Sequence, residues 1–377
     1  MLLLSGPNMG GNEIKYVTEC LETGWVSSVG SYVDKFEKMA AEFAGTKYAV
    51  ATSSGTTALH TCLILLGIQP NDYVIAPNIT FIATLNSIKY TGASPLLIDT
   101  DEHSWQMDLN LLEEFLQNET EQKENGCYYK KDGRRIPAIM PVHVLGNMCD
   151  MDRLLLLAEQ YNLTIVEDST EALGSYYKGR HAGSFGLMGT FSYNGNKIIT
   201  TGGGGMIVTN NEALAKKAKH LTTQAKSDPF EYMHDQIGYN YRLVNVAAAM
   251  GVAQMEQLPG FLQRKKEIIA FYKNQLASVG DIEFQQVSND VNPNWWMPTI
   301  KTSRQKDVLK ILNDHQMQSR PFWVPMNQLS MFKDDLYYNK TDRSDFVYRH
   351  CLSIPCSTNI SNQDLQNVCN KIKEVFQ

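Results

Sequence analysis

The sequence predicts an α/β protein with a smaller α+β region after it, and two observations carry that prediction. From about residue 47, short β-like apolar runs alternate with helical patterns. Around Pro259-Gly260 the character changes, and a long helical stretch leads into sparser elements. The expected division is an N-terminal segment and large domain over 1–258 and a small C-terminal domain over 259–377. A length of 377 residues suits one large domain with an appendage.

The elements follow in order. KYAVAT reads as a strand, and SSGTTALHTCLILLG opens the helix after it. YVIA is a strand ended by Pro77, and ITFIATLNSIKYTG fits a helix. PLLID is strand-like, and DLNLLEEFLQ is a helix with Leu109, Leu112 and Phe115 on one face. The polar, charge-mixed ETEQKENGCYYKKDGRR reads as an exposed insertion or a hairpin. IPAIMPV is a buried strand, MDRLLLLAEQYN a helix and LTIVED the next strand. TFSY and MIVT bracket a loop containing Lys197, and Asn210 or Asn211 caps the helix in NEALAKKAKHLTTQA. Beyond Pro259, FLQRKKEIIAFYKNQLASVG reads as the long helix, followed by IEFQQV, PTIK and the helix DVLKILNDHQ.

Composition bounds the function. Apolar residues make up 43% and charged residues 20%, as in an ordinary globular protein with a sizeable core. A net charge of −6 argues against nucleic acid or an anionic membrane as the main partner. The start MLLLSGPNMG lacks the basic flank and long apolar stretch of a signal peptide, and no run is long enough to span a bilayer. Seven scattered cysteines with no CxxC pair point to reduced thiols in a cytoplasmic protein and to neither a zinc site nor a disulfide framework. The eight histidines also lack metal-ligand spacing, so no metal is expected.

The chemistry centres on Lys197 and on Asp168, which ends LTIVED. A lysine with an upstream strand-end aspartate suits pyridoxal phosphate (PLP). The amine forms a Schiff base with the aldehyde, and the carboxylate keeps the pyridinium nitrogen protonated. Glu171 lies within reach of the cofactor's phenolic oxygen. Ser53-Ser54-Gly55-Thr56-Thr57 falls between a strand and a helix, either as an anion site or as a plain N-cap. Phe81, after the next strand, is a stacking partner for a planar ring or a core residue. Asp168 is the ring-nitrogen partner or a turn residue. The glycines 202–205 mark a close backbone or ligand approach, or a flexible loop.

Together these segments resemble the DegT/DnrJ/EryC1/StrS family of PLP-dependent sugar aminotransferases. Six motifs follow the family's order: GWVSSVGSYVDKFEKMAAEFAGTKYAVATSSGTTAL, PNITFIATLNSI, PVHVLGNMCDMD, VEDSTEALGS, TFSYNGNKIITTGGGG and GYNYRLVN. The resemblance implies fold type I, with a large domain built on a mixed, mostly parallel sheet flanked by helices. It implies Lys197 as the Schiff-base lysine and acid/base, Asp168 on the pyridine nitrogen, Glu171 on the phenolic oxygen and Phe81 on the ring face. Gly55, Thr56 and Ser192 would hold the phosphate. Asn240 would reach the phosphate of a neighbouring subunit's cofactor, placing the site at a homodimer interface. His143 would be structural, and His181 near the cofactor without an assigned role.

Two departures stand out: Glu171 where many members have glutamine, and TGGGG at 201–205 where many have TGEGG. They resemble the branch acting on nucleotide-linked 4-keto-6-deoxy sugars, including legionaminic acid pathways. The implied reaction moves an amino group from L-glutamate to the C4 ketone of a UDP-4-keto-6-deoxy-N-acetylhexosamine, through the pyridoxamine form of the cofactor, in bacterial surface glycan or nonulosonic acid biosynthesis. Dehydratases of the same fold carry histidine where this chain has Lys197, and a regulator without turnover has no need of the intact set. The start GPNMGGNE with Trp295, Trp296 and Trp323 shapes the sugar-nucleotide side, or these tryptophans are core aromatics.

Overall fold

A computed structural model describes residues 1–228 and 230–377. Its central sheet has eight strands: β1 (Tyr48–Thr52), β2 (Tyr73–Pro77), β3 (Ser94–Ile98), β4 (Ala138–Ile139), β5 (Thr164–Asp168), β6 (Met188–Ser192), β7 (Gly205–Thr209) and β8 (Leu336–Tyr338). Their order is β1-β7-β6-β5-β4-β2-β3-β8. All neighbours run parallel except β7, which is antiparallel to both β1 and β6. Every residue of β2 and β7 is buried, as expected of apolar runs in a sheet covered on both faces.

The helices that cover it are α1 (Glu13–Thr23), α2 (Ser31–Ala44), α3 (Gly55–Leu65), α4 (Ala83–Tyr90), α5 (Leu109–Glu119), α6 (Met151–Gln160), α7 (Glu212–Thr222) and α8 (Asn245–Leu276). Side chains of Asp108, Asp150 and Asn211 cap α5, α6 and α7. Of the two asparagines before α7, Asn211 is therefore the cap. Helix α8 begins upstream of the expected boundary and passes through Pro259 without stopping. Proline removes one main-chain hydrogen bond, but Met255, Leu258 and Phe261 are buried around it, and that packing carries the helix across. Helices α1 and α2 pack on α8.

The charge-mixed insertion forms a hairpin extended by a third strand, from Thr120–Lys123, Gly126–Tyr129 and Arg135–Ile136. After α8, four short antiparallel strands make a second sheet: Glu283–Phe284, Thr299–Lys301, Cys351–Ser353 and Arg320–Pro321. The same stretch of chain also sends β8 back to the edge of the central sheet. Among the described residues, no helix is long and apolar enough to cross a membrane.

Because β1, β2, β5 and β6 are aligned, their carboxyl ends converge on one edge. The antiparallel return of β7 keeps the Tyr193–Gly204 loop there too. Open α/β sheets bind ligands at that edge.

Candidate active site

A cavity of about 420 Å³ opens at this edge, a volume typical of small-molecule sites. Gly55, Thr56, Phe81, Ser192 and Lys197 all line it. Ser54 caps α3 through a reciprocal pair with Thr57, which leaves the first amides of α3 directed at the cavity edge. A Cβ on Gly55 would stand 3.0 Å from Ser192 Cβ and 3.1 Å from Thr170 Cγ2, so glycine lets these three segments approach more closely than a side chain would without a shift. Gly205 is held more strictly, with the Ser54 main-chain O at 2.2 Å from its would-be Cβ, and Gly202 has a left-handed φ of +80°. The glycine run is thus a close backbone approach. Phe81 is half exposed and stands in the cavity wall, outside the core.

Asp168 and Glu171 are buried just behind the lining side chains. Thr84 Oγ1 donates to Asp168 Oδ2 at 2.7 Å, and Thr170 donates to Oδ1 from its hydroxyl at 2.7 Å and its amide at 3.2 Å. Oδ2 accepts one of these bonds and keeps capacity for another donor. Glu171 Oε2 accepts from Leu145 N at 2.8 Å, and its Oε1 is 3.8 Å from Lys197 Nζ. Thr84, Thr170 and Leu145 escaped the sequence reading. The hydroxyls carry no distinguishing motif, and the Leu145 donor is main chain.

Burial pushes the Glu171 carboxyl up to about 7, against the opposing pull of the Lys197 ammonium. Burial also lowers Lys197, while Glu171 and Asp168 pull it the other way. An amine and an acid both shifted toward neutrality form a pair that exchanges a proton easily, as acid–base catalysis needs.

One consequence concerns stability. An acid raised from 4.5 to about 7 leaves the folded state holding more protons than the unfolded chain across that window. Its contribution is full below pH 4.5 and is lost as pH climbs to 7, roughly 3 kcal/mol in cofactor-free protein. The lowered Lys197 acts oppositely, adding stability as pH rises toward 10.5. Glu171→Gln should therefore gain about 2–3 kcal/mol on wild type between pH 5 and pH 7.5 in urea unfolding. Parallel curves for the two proteins would contradict the raised acid.

Beneath the site, Glu167 is fully buried. It accepts from Gly183 N (2.8 Å), Phe185 N (2.6 Å), Gly186 N (2.7 Å) and pairs with His143 Nε2 (2.9 Å). Burial opposes its charge, but His143 and these amides hold it below its usual range. His143 N also donates to Asp168 O at 3.1 Å, so this histidine braces the end of β5. His181 accepts from Gly174 N at 2.8 Å and is pushed down to about 4 by burial, a neutral structural role.

The opposite wall comes from the far end of the chain: Trp296, Met297, Arg320, Phe322 and Trp323, with Leu4 from the N-terminus. Trp295 is outside it, with Lys273 Nζ 4.5 Å from its ring centre. Asn240 is exposed and outside the cavity of its own chain. Among the described residues, no cluster of three His, Cys, Asp or Glu side chains could hold a metal.

The donor set fits PLP: an amine at the cavity with a strand-end carboxylate buried just behind it, a helix N-terminus with a closely approached glycine, and an aromatic wall. Fold and site define a fold type I, PLP-dependent aminotransferase. The sequence profile of the DegT/DnrJ/EryC1/StrS aminotransferase family matches residues 7–373, and the chain belongs to that family. It is 39% identical to the GDP-perosamine synthase of Escherichia coli O157:H7 over 98% of this chain and 97% of that one. It is 36% identical to the GDP-perosamine synthase of Caulobacter vibrioides over 99% and 98%. A DegT DnrJ EryC1 StrS aminotransferase from Brucella abortus has the same fold, with a TM-score of 0.90 at 23% identity over 97% and 95% of the two chains. S. venezuelae DesV, solved with a ketimine intermediate, superposes with a TM-score of 0.87 at 27% identity over 96% and 94%. The enzyme is a PLP-dependent sugar aminotransferase.

Proposed function

We propose that the chain aminates the C4 ketone of a nucleotide-linked 4-keto-6-deoxy hexose, with L-glutamate as donor, in surface glycan biosynthesis. The observation that carries this is the Lys197 amine, in a cavity wide enough for a sugar and 3.8 Å from an acid raised to about 7. When bound, PLP supplies an electron-withdrawing ring and carries the amino group between the two substrates. Lys197 takes a proton from the donor carbon and returns one on the cofactor side, then reverses these roles for the ketosugar. Asp168, held in place by Thr84 and Thr170, would keep a proton on the ring nitrogen. Glu171 would face the phenolic oxygen, Phe81 would cover a ring face, and Gly55, Thr56 and Ser192 would hold the phosphate. Arg320, the other cation lining the cavity, is placed for an anionic group of either substrate. Two substrates sharing one cavity predict ping-pong kinetics.

The branch resemblance in the sequence favours a UDP-linked N-acetylhexosamine, including legionaminic-type pathways. The names of two full-length relatives favour a GDP-linked sugar instead. Given that support, GDP is the better expectation. Incubation with glutamate and matched GDP-, UDP- and dTDP-linked 4-ketosugars tests it: the GDP-sugar should give the highest kcat/KM. A preference for UDP would restore the first reading, and no turnover of any 4-ketosugar would remove the C4 assignment.

A homodimer with a shared site also belongs to this reading. Asn240 follows a hairpin exposing Phe230, Tyr232, Met233 and Ile237, and precedes Asn245, which ties down a loop exposing Trp25 and Val29. Large apolar side chains at this density on a surface suit burial against a second copy.

A further inference from the structure

Trp296 does more in this fold than fill space. Its ring centre is 3.8 Å from Lys197 Nζ, although Trp296 is itself buried. Its indole N–H donates to the carbonyl of Asn196, the residue before the lysine, at 2.7 Å. Its main-chain N–H donates to Asn294 Oδ1 at 2.8 Å, and Asn294 Nδ2 donates to the carbonyls of Glu171 and Leu173 at 2.8 and 2.9 Å. Its carbonyl accepts from Lys265 Nζ at 2.8 Å, and that ammonium, buried in α8, also donates to Cys356 O at 2.7 Å. The indole is thereby fixed from the lysine loop, from the Glu171 turn and from α8.

We propose that Trp296 is a positioning residue for Lys197: its face holds the ammonium against the cavity wall whenever that amine is not bonded to the cofactor, with Asn294 and Lys265 fixing the indole. The physical case is that a buried ammonium needs compensation, and an aromatic face supplies it electrostatically. A carboxylate in the same place would compete for the proton, whereas an indole face cannot accept it. The ring thus holds the amine without drawing off its proton, which leaves Glu171, at 3.8 Å, as the acid placed to exchange it. The other charged groups facing it are Glu171 at 3.8 Å, Asp168 behind the wall and Arg320 across the cavity.

This inference rests on Lys197 being the catalytic amine, but its test does not use turnover. Cofactor-free protein is pulse-labelled with acetic anhydride across a pH series, and acetylation of Lys197 is read by peptide mass spectrometry to give a titration midpoint. Trp296→Leu should lower that midpoint by about 0.5–1.5 pH units, because the ammonium loses the ring face. Trp296→Phe should lie between that variant and wild type. Replacing all five tryptophans with mono-, di- and trifluorinated analogues should lower the midpoint stepwise, since fluorine drains the ring face at nearly constant shape. That series decides the matter if Trp296→Leu does not fold. A midpoint unmoved by fluorination, or an equal shift from Trp295→Leu, would overturn the proposal. Failure of Lys197→Ala to abolish turnover would instead count against the lysine's catalytic role.

Discussion

Replacing Lys197 with alanine should lower kcat by about 10⁴-fold or more while leaving a folded protein, because one amine serves both as covalent anchor and as acid/base. Survival of the fold follows from the surroundings. The side chain sits on a loop, lines a cavity and holds no hydrogen-bonded partner that its removal would strand. Its nearest acid, Glu171, is already raised to about 7 and can take up a proton when the ammonium is gone. Loop geometry is kept by main-chain bonds, including Lys197 N to Asn194 O at 3.0 Å. Circular dichroism should match wild type, and single-turnover assays with glutamate should be silent. A well-folded variant that still transaminates would move the chemistry to another group.

Asp168→Asn should cost about 10²–10³-fold in kcat, the scale expected when a preorganised charge is withdrawn from a reacting centre. Asparagine can keep an acceptor for Thr170 and preserve shape, but its amide nitrogen cannot accept from Thr84, so the loss would report the charge together with that one bond. Asp168→Ala adds a structural cost. The hydroxyls of Thr84 and Thr170 lose their acceptor in a buried site, worth about 1–3 kcal/mol each. Comparing kcat and urea midpoints of the two variants separates the effects. If Asp168→Asn retains its rate, the carboxylate opposite the ring has been misassigned, and Glu167 becomes the one to examine.

Lys197 also separates two reactions. Since dehydratases of this fold are expected to carry histidine at this position, a lysine there favours amination. Among the described residues, the cavity's other charged lining side chain is Arg320, which stays protonated, and the nearest acid, Glu171, lies behind the lining at 3.8 Å from the amine.

Much of this was legible in the residues. The strand and helix runs between residues 47 and 222 match the observed elements closely, because apolar periodicity and capping side chains are local signals. Gly55, Thr56, Phe81, Ser192 and Lys197 reach one cavity for a similar reason: each lies at or just beyond a strand end, and parallel strands end at the same edge. The start of α8 was not legible, since Pro259 reads as a breaker until its packing is known. Nor was the return of β8 to the central sheet, a pairing across more than two hundred residues.

By itself, then, the sequence determined the α/β class, the family and the cofactor, and singled out the amine proposed to carry the chemistry, all through motifs whose residues lie close together in the chain. Only the tertiary structure decided how those groups are tuned. The raised Glu171, the Thr84 bond to Asp168 and the Trp296 contact with the Lys197 loop join segments 26 to 100 residues apart. Burial and charge act through space, and distance along the chain carries no information about either.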